Sequence, residues 1–324
     1  MQKPINRILS ALMALVMILT MLPATVLADG ETATSFEGWS LTLGENIGVN
    51  FYFNIAEADV ANAAANITVA SSSSTVSASQ APQKDGKYVF SVDVAAAQMT
   101  DTIALELVVA GETVHSGEYS VREYAVKILE GDYDEAVKQL VRKMLNYGAA
   151  AQTHFIYNAE NLANKGYEIT EEVAVPESIE GAQVTGAVHN VICYGNSLLF
   201  KSQTAVRFYF ELKSDAKNFT FKAGDNTLTP VEKDGLYYVE IGGINPQDLD
   251  KTVTVEVSDG TDSLTFSYSP MQYIVRKYNN SASSDALKAL LACMYSYHKE
   301  AQYYDSIVWA GSLSAHGVNT WNAD

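Results

Sequence analysis

Histidines, cysteines and paired carboxylates are the side chains of this 324-residue chain that could do chemistry, and their spacing decides which chemistry is open. His189 and Cys193 are four apart, a separation at which an imidazole could activate a thiol. No local motif of a thiol enzyme surrounds them. The five histidines (His115, His154, His189, His298 and His316) are scattered. Without an HExxH pair or other paired spacing they make no zinc set. No GxSxG elbow and no phosphate-cradling glycine loop occurs. Asp259-Gly-Thr-Asp262 and Asp132-Tyr-Asp134-Glu135 carry carboxylates enough for calcium, but both also read as turn and helix-start sequences. Asp and Glu are abundant enough to offer a glycosidase pair, which spacing alone cannot position. No catalytic residue, metal ligand or cofactor site is assigned.

What remains is recognition and cross-linking. Tyr295 and Tyr303 fall outside the apolar stripe of a helix near the C-terminus, and Trp309 and Trp321 follow it. Flat, rigid, amphipathic rings suit contacts with protein or sugar, so these four are the candidate binding residues. The alternative is that Tyr295 packs on a neighbouring helix and the tail folds back. Cys193 and Cys293 are a candidate disulfide in an exported chain, although Cys293 also fits as a small buried thiol.

These residues hang on a duplicated framework. Ala136, Lys138, Leu140, Met144, Tyr147, Ala151 and Gln152 recur 150 positions later as Ala286, Lys288, Leu290, Met294, Tyr297, Ala301 and Gln302. In both stretches apolar residues repeat at i, i+3, i+4 and i+7, the stripe of a long amphipathic helix. Ser40, Leu41, Val49, Phe51, Tyr52 and Phe53 recur 157 positions on as Ser197, Leu198, Val206, Phe208, Tyr209 and Phe210. There the period is two, as in a half-buried strand. Lys84-Asp85-Gly86 and Lys233-Asp234-Gly235 each precede a strand pattern, a hairpin signal because a type I′ turn needs positive φ. Ser120-Val-Arg-Glu123 and Ser269-Pro270-Met-Gln272 read as helix starts of the capping-box kind. The expected fold is mainly β with α. It has two tandem Ig-like antiparallel β-sandwich units, each ending in a helical hairpin with one long helix.

Residues 1–28 hold Lys3 and Arg7, an apolar run, and Val26-Leu27-Ala28, the three parts of a secretory signal peptide. The first unit then spans 29–158, an acidic linker 159–185, the second unit 186–304 and a tail 305–324. Losing residues 1–28 takes the formal charge from −17 to −19. Such a balance disfavours nucleic acid and anionic membranes. No later apolar run is long enough to insert in a membrane.

MLNYGAAAQ, with Phe155, Tyr157-Asn158 and Leu162-Ala163-Asn164, resembles a repeated, mostly unassigned module of large secreted and surface proteins from anaerobic gut-type Gram-positive bacteria. The likeness is weaker in the second half, where Gly148-Ala149-Ala150 becomes His298-Lys299-Glu300. It implies a secreted, extracellular or cell-surface protein and supplies no catalytic residues. The expected function is a non-catalytic binding or adhesion protein for a host or cell-surface protein or glycan. The alternative is a secreted carbohydrate-active enzyme or its carbohydrate-binding accessory subunit.

Overall fold

The computed structural model describes residues 14–17, 33–43, 46–171, 173–309 and 318–319. It is mainly β, with four antiparallel sheets and four helices. In the first half, strands Ser35–Leu43, Ile47–Asn54, Lys87–Val94 and Gln83–Lys84 lie side by side in that order. A second sheet runs Ser72–Ser77, Ala63–Val69, Ile103–Val109, Glu112–Tyr119. Beyond residue 190 the same order returns: Val191–Phe200, Thr204–Leu212, Leu236–Ile241, Val231–Lys233 in one sheet. The other is Asn226–Leu228, Thr220–Ala223, Val253–Ser258, Ser263–Tyr268, with Gln183–Gly186 added at the end. The short strand Ala14–Met17, inside the expected leader, pairs with Ser35–Leu43 and with Val318–Asn319. The rest of the leader lies outside the described residues.

Alternation explains which faces meet. Leu41, Val49, Phe51, Phe53, Phe208 and Phe210 are essentially inaccessible, each worth about 1.5–3 kcal/mol of burial. Across the two sheets of the second half, Phe208 and Phe210 contact Phe266 at 5.1 and 6.0 Å, edge to face. Ser40 Oγ and Tyr52 OH are 2.9 Å apart across adjacent strands, and Ser197 and Tyr209 repeat the pair at 3.2 Å. Each of these hydroxyls thereby gains a partner within the sheet. Both Asp-Gly turns form as expected: φ is +50° and +76° at Asp85 and Gly86, and +53° and +80° at Asp234 and Gly235.

Helices α1 (Val121–Glu130) and α2 (Glu135–Phe155) follow the first pair of sheets. Helices α3 (Pro270–Tyr278) and α4 (Asp285–Trp309) follow the second. Ser269 and Gln272 complete a capping box at α3, whereas at α1 only the Ser120 half is made. The helix α4 takes in the first five residues of the expected tail, ending at Trp309.

The helices α2 and α4 pack on one another through buried Tyr147 and Tyr297, whose rings stack with centroids 6.1 Å apart. Lys143 near the middle of α2 faces Glu300 towards the end of α4, and Asp134 before α2 faces Tyr304. The two helices therefore run in opposite directions. Each also presses on a short 3₁₀ turn: Ala96–Gln98 for α2, Pro246–Asp248 for α4. Gly148 makes the first contact possible. A Cβ there would lie 2.5 Å from Met99 Sδ and 3.1 Å from the Ala96 carbonyl oxygen. The thioether can swing aside, but the carbonyl belongs to the backbone.

Residues 159–185 are acidic, as expected of the linker, but they are fastened down. Asn146 donates to the carbonyl of Tyr167 and accepts from Asn164 Nδ2 and the Ile169 amide. Gln152 donates to the Asn161 carbonyl and accepts from the Ala163 amide. At the far end Gln272 donates to the carbonyls of Glu180 and Gly181, and Asn279 to that of Pro176.

Replacing Gly148 by valine is expected to cost about 2 kcal/mol in urea unfolding, through overpacking against the 3₁₀ turn. The loss should shrink on a Met99→Ala background, which leaves only the carbonyl clash. An unchanged midpoint would contradict the close contact.

Candidate functional site

The strands Ser35–Leu43 and Val191–Phe200 share a backbone device. Each carries a β-bulge just before a glycine: the register shifts between Phe36 and Gly38, and again between Cys193 and Gly195. The unpaired residue is Glu37 in one strand and Tyr194 in the other. Bulges re-aim a side chain and bend the strand. Glu37 turns to protein, accepting from Ser35 and pairing with Lys87 at 3.5 Å. Tyr194 turns to solvent and is 66% exposed.

Beside the first bulge aromatic rings occupy the space between the two sheets and α1. Phe36 stacks on His115 at 4.2 Å, and Trp39 meets Tyr119 and Tyr124 edge-on at 4.9 and 4.8 Å. Lys127 Nζ lies 5.1 Å above the Trp39 ring. At the same steps from the second bulge stand Cys193 and Asn196, one before it and two after. The two large rings are gone. A groove of about 470 Å³ takes their place, bounded by Val184, Tyr194, Asn196, Tyr273, Arg276 and Lys277. Buried Phe266 and Tyr268 form its floor. That is within the usual volume of a small-ligand pocket.

The electrostatics are local and positive. Arg276 and Lys277, at the end of α3, are exposed and make no ion pair among the described residues. Lys277 Nζ is 6.0 Å from the Tyr273 ring centre. No carboxylate is among the described lining residues. Cys193 also lines the groove, and burial pushes its thiol up to about 11, so it stays protonated at neutral pH. His189, the imidazole four residues away, is exposed and faces Asp259. The arrangement can hold a ligand by ring stacking, amide hydrogen bonds and a cationic edge.

The residues singled out from sequence fall elsewhere. Tyr303 is 56% exposed on α4, and Tyr295 is half-buried against the core, its ring 6.4 Å from His298. Neither lines the groove. Trp309 ends α4, and Trp321 lies outside the described residues. The disulfide does not form: Cys193 and Cys293 are both free. Cys193 sits in the groove, whereas Cys293 is half-buried on α4 towards Lys143 of α2. Asp259 accepts from the amides of Thr261 and Asp262, closing its turn.

His298 takes the place on α4 that Gly148 has on α2. It is buried, its Nδ1–H donates to the Pro246 carbonyl at 2.6 Å, and Asp250 Oδ2 is 4.0 Å from Nε2. Desolvation outweighs these two favourable partners and lowers its pKa below the ordinary 6.5.

Groove residues Tyr194, Asn196, Tyr273, Arg276 and Lys277 do not stand out from the sequence alone. A signal exists, since the 157-residue offset sets Cys193 and Asn196 against Phe36 and Trp39. The chain matches no protein-family model, no curated protein and no solved structure.

Two outcomes are expected. Thiol titration of the unfolded, unreduced protein should find two thiols per chain, while alkylation of the folded protein at pH 7.5 should be slow at Cys193; one disulfide and no thiol would refute the assignment. Secondly, the folded state holds His298 neutral with a depressed pKa, so the unfolded chain binds the extra proton first. Its contribution is complete above about pH 6.5 and is lost as pH falls through the lower folded value. Comparing urea midpoints at pH 7.5 and 5.5, the wild type should lose more stability than His298→Gln; parallel losses would show that this imidazole is not responsible.

Proposed function

We propose that this chain is a secreted, non-catalytic binding protein of a bacterial surface or its surroundings, which engages an extracellular protein or glycan through the groove beside α3. In this reading the chain is two tandem Ig-like β-sandwich units, each closed by a helical hairpin. The recurring strand order, the paired bulges and the paired helices support that view. The leader-like residues 1–28 and the strongly acidic balance support export and solubility.

One observation carries the proposal. Two equivalent places differ in their filling: Phe36 and Trp39 put rings into the first, whereas Cys193 and Asn196 leave the second open. Filling a cleft with aromatic rings stabilises a fold, since each buries about 150–250 Å². Leaving it open forgoes that gain and exposes Tyr194 and, at its rim, two cations that make no ion pair among the described residues. Such a loss is explained if the space has an occupant.

The test is to refill it. Fluorescently labelled full-length protein would be screened on glycan and extracellular-protein arrays to find a partner. The double variant Cys193→Phe/Asn196→Trp is expected to abolish binding to that partner with the melting temperature kept or raised. Tyr194→Ala should weaken it by about 1 kcal/mol or more and decides the matter if the double variant misfolds. Tyr303→Ala separates a contact on the face of α4 from one in the groove. A partner whose binding survives both groove changes would refute this site.

A further inference from the structure

Provided that the groove is the binding site proposed for it, its lining also selects the chemistry it takes. Tyr194 offers an exposed ring on a strand and Tyr273 a second, half-buried one. Tyrosine faces stack on the C–H faces of a pyranose while their hydroxyls stay free to hydrogen-bond. Asn196 and Asn280 line the same space with amides, which both donate and accept and so suit vicinal hydroxyls. Arg276 presents a guanidinium fork with no carboxylate of the described residues on it, and a carboxylate is the group that this fork matches in two parallel hydrogen bonds.

The extended peptide, the other natural occupant of a cleft beside a sheet edge, fits less well. Strand addition needs an unbroken row of edge amides and carbonyls. The bulge between Cys193 and Gly195 interrupts that row on the edge strand Val191–Phe200, and the other edge strand at the groove, Gln183–Gly186, is only four residues long. A polyanionic chain is opposed by the net charge of −17. A single carboxylate at contact feels mainly the two adjacent cations, because more distant charges are screened over about 8–10 Å.

We infer that the groove binds a terminal acidic sugar, a pyranose carrying one carboxylate, with the carboxylate on Arg276 and Lys277 and the ring against Tyr194.

Calorimetric titration of the full chain would use oligosaccharides ending in glucuronate, galacturonate or N-acetylneuraminate, each beside its carboxyl-reduced neutral counterpart, and a Glu-rich peptide. At least one acidic ligand should bind about tenfold tighter than its neutral form, the gain of a charge-assisted contact. Arg276→Gln should remove most of that preference, and Tyr194→Ala should weaken acidic and neutral forms alike. Raising salt from about 50 to about 500 mM should erode the preference. Equal binding of acidic and neutral sugars, binding of the peptide instead, or no acidic sugar bound at millimolar concentration would each overturn the inference. The refilled variant Cys193→Phe/Asn196→Trp separates two failures. If it abolishes binding of a neutral glycan or the peptide, the groove stands and the acidic sugar falls. If binding of the acidic sugar persists in it, the groove itself is wrong.

Discussion

Where α2 crosses α4, two tyrosine rings at matching places on antiparallel helices lie against each other out of water. A long apolar stripe needs a surface to cover, and here each helix covers part of the other as well as a 3₁₀ turn of its own half. The buried cluster is accordingly continuous from the first pair of sheets to the second. Shape decides how close the approach can be. On α2 the seat is a glycine that admits a carbonyl; on α4 it is an imidazole that hydrogen-bonds one. Ala96 and Pro246 supply those two carbonyls, so the same contact is made once by removing a side chain and once by adding a polar one.

Much of this framework is legible in the sequence because local chemistry dictates it. The bounds of α1 and α3 follow from Ser120 and Ser269, whose hydroxyls take the first free amides. The Asp-Gly turns follow from the positive φ they require. The long helices follow from their period, although α4 continues through Asp305, Ser306 and Ile307, where the stripe alone gives no stop. The strap of residues 159–185 reads as a linker from composition. Composition does not reveal that Asn146 and Gln152 on α2 carry the amides that bind it.

The groove is harder to see because it is made by what is missing. Periodicity finds rows of apolar residues; it does not find a Trp that has become Asn196 or a Phe that has become Cys193. The bulge adds to this, since a residue outside the alternating pattern is the one whose direction the pattern cannot give. Nothing in the pattern marks Tyr194 until the register with Tyr209 and Phe210 shows it to be the unpaired one. The expectation of a contact in the second half rests on Tyr295, Tyr303, Trp309 and Trp321, and the bulge is a further place where the halves differ.

The fastened strap has a consequence for survival. A protease needs a stretch of backbone in extended form in its cleft, and exposed, poorly ordered segments are where it usually finds one. Here the joint is tied by side-chain amides from both sides, Asn146 and Gln152 at one end and Gln272 and Asn279 at the other. An enzyme cutting at either end would have to break several of those bonds first, although the segment is polar, acidic and largely irregular. Wherever proteases are abundant, those amides shield both ends of the seam.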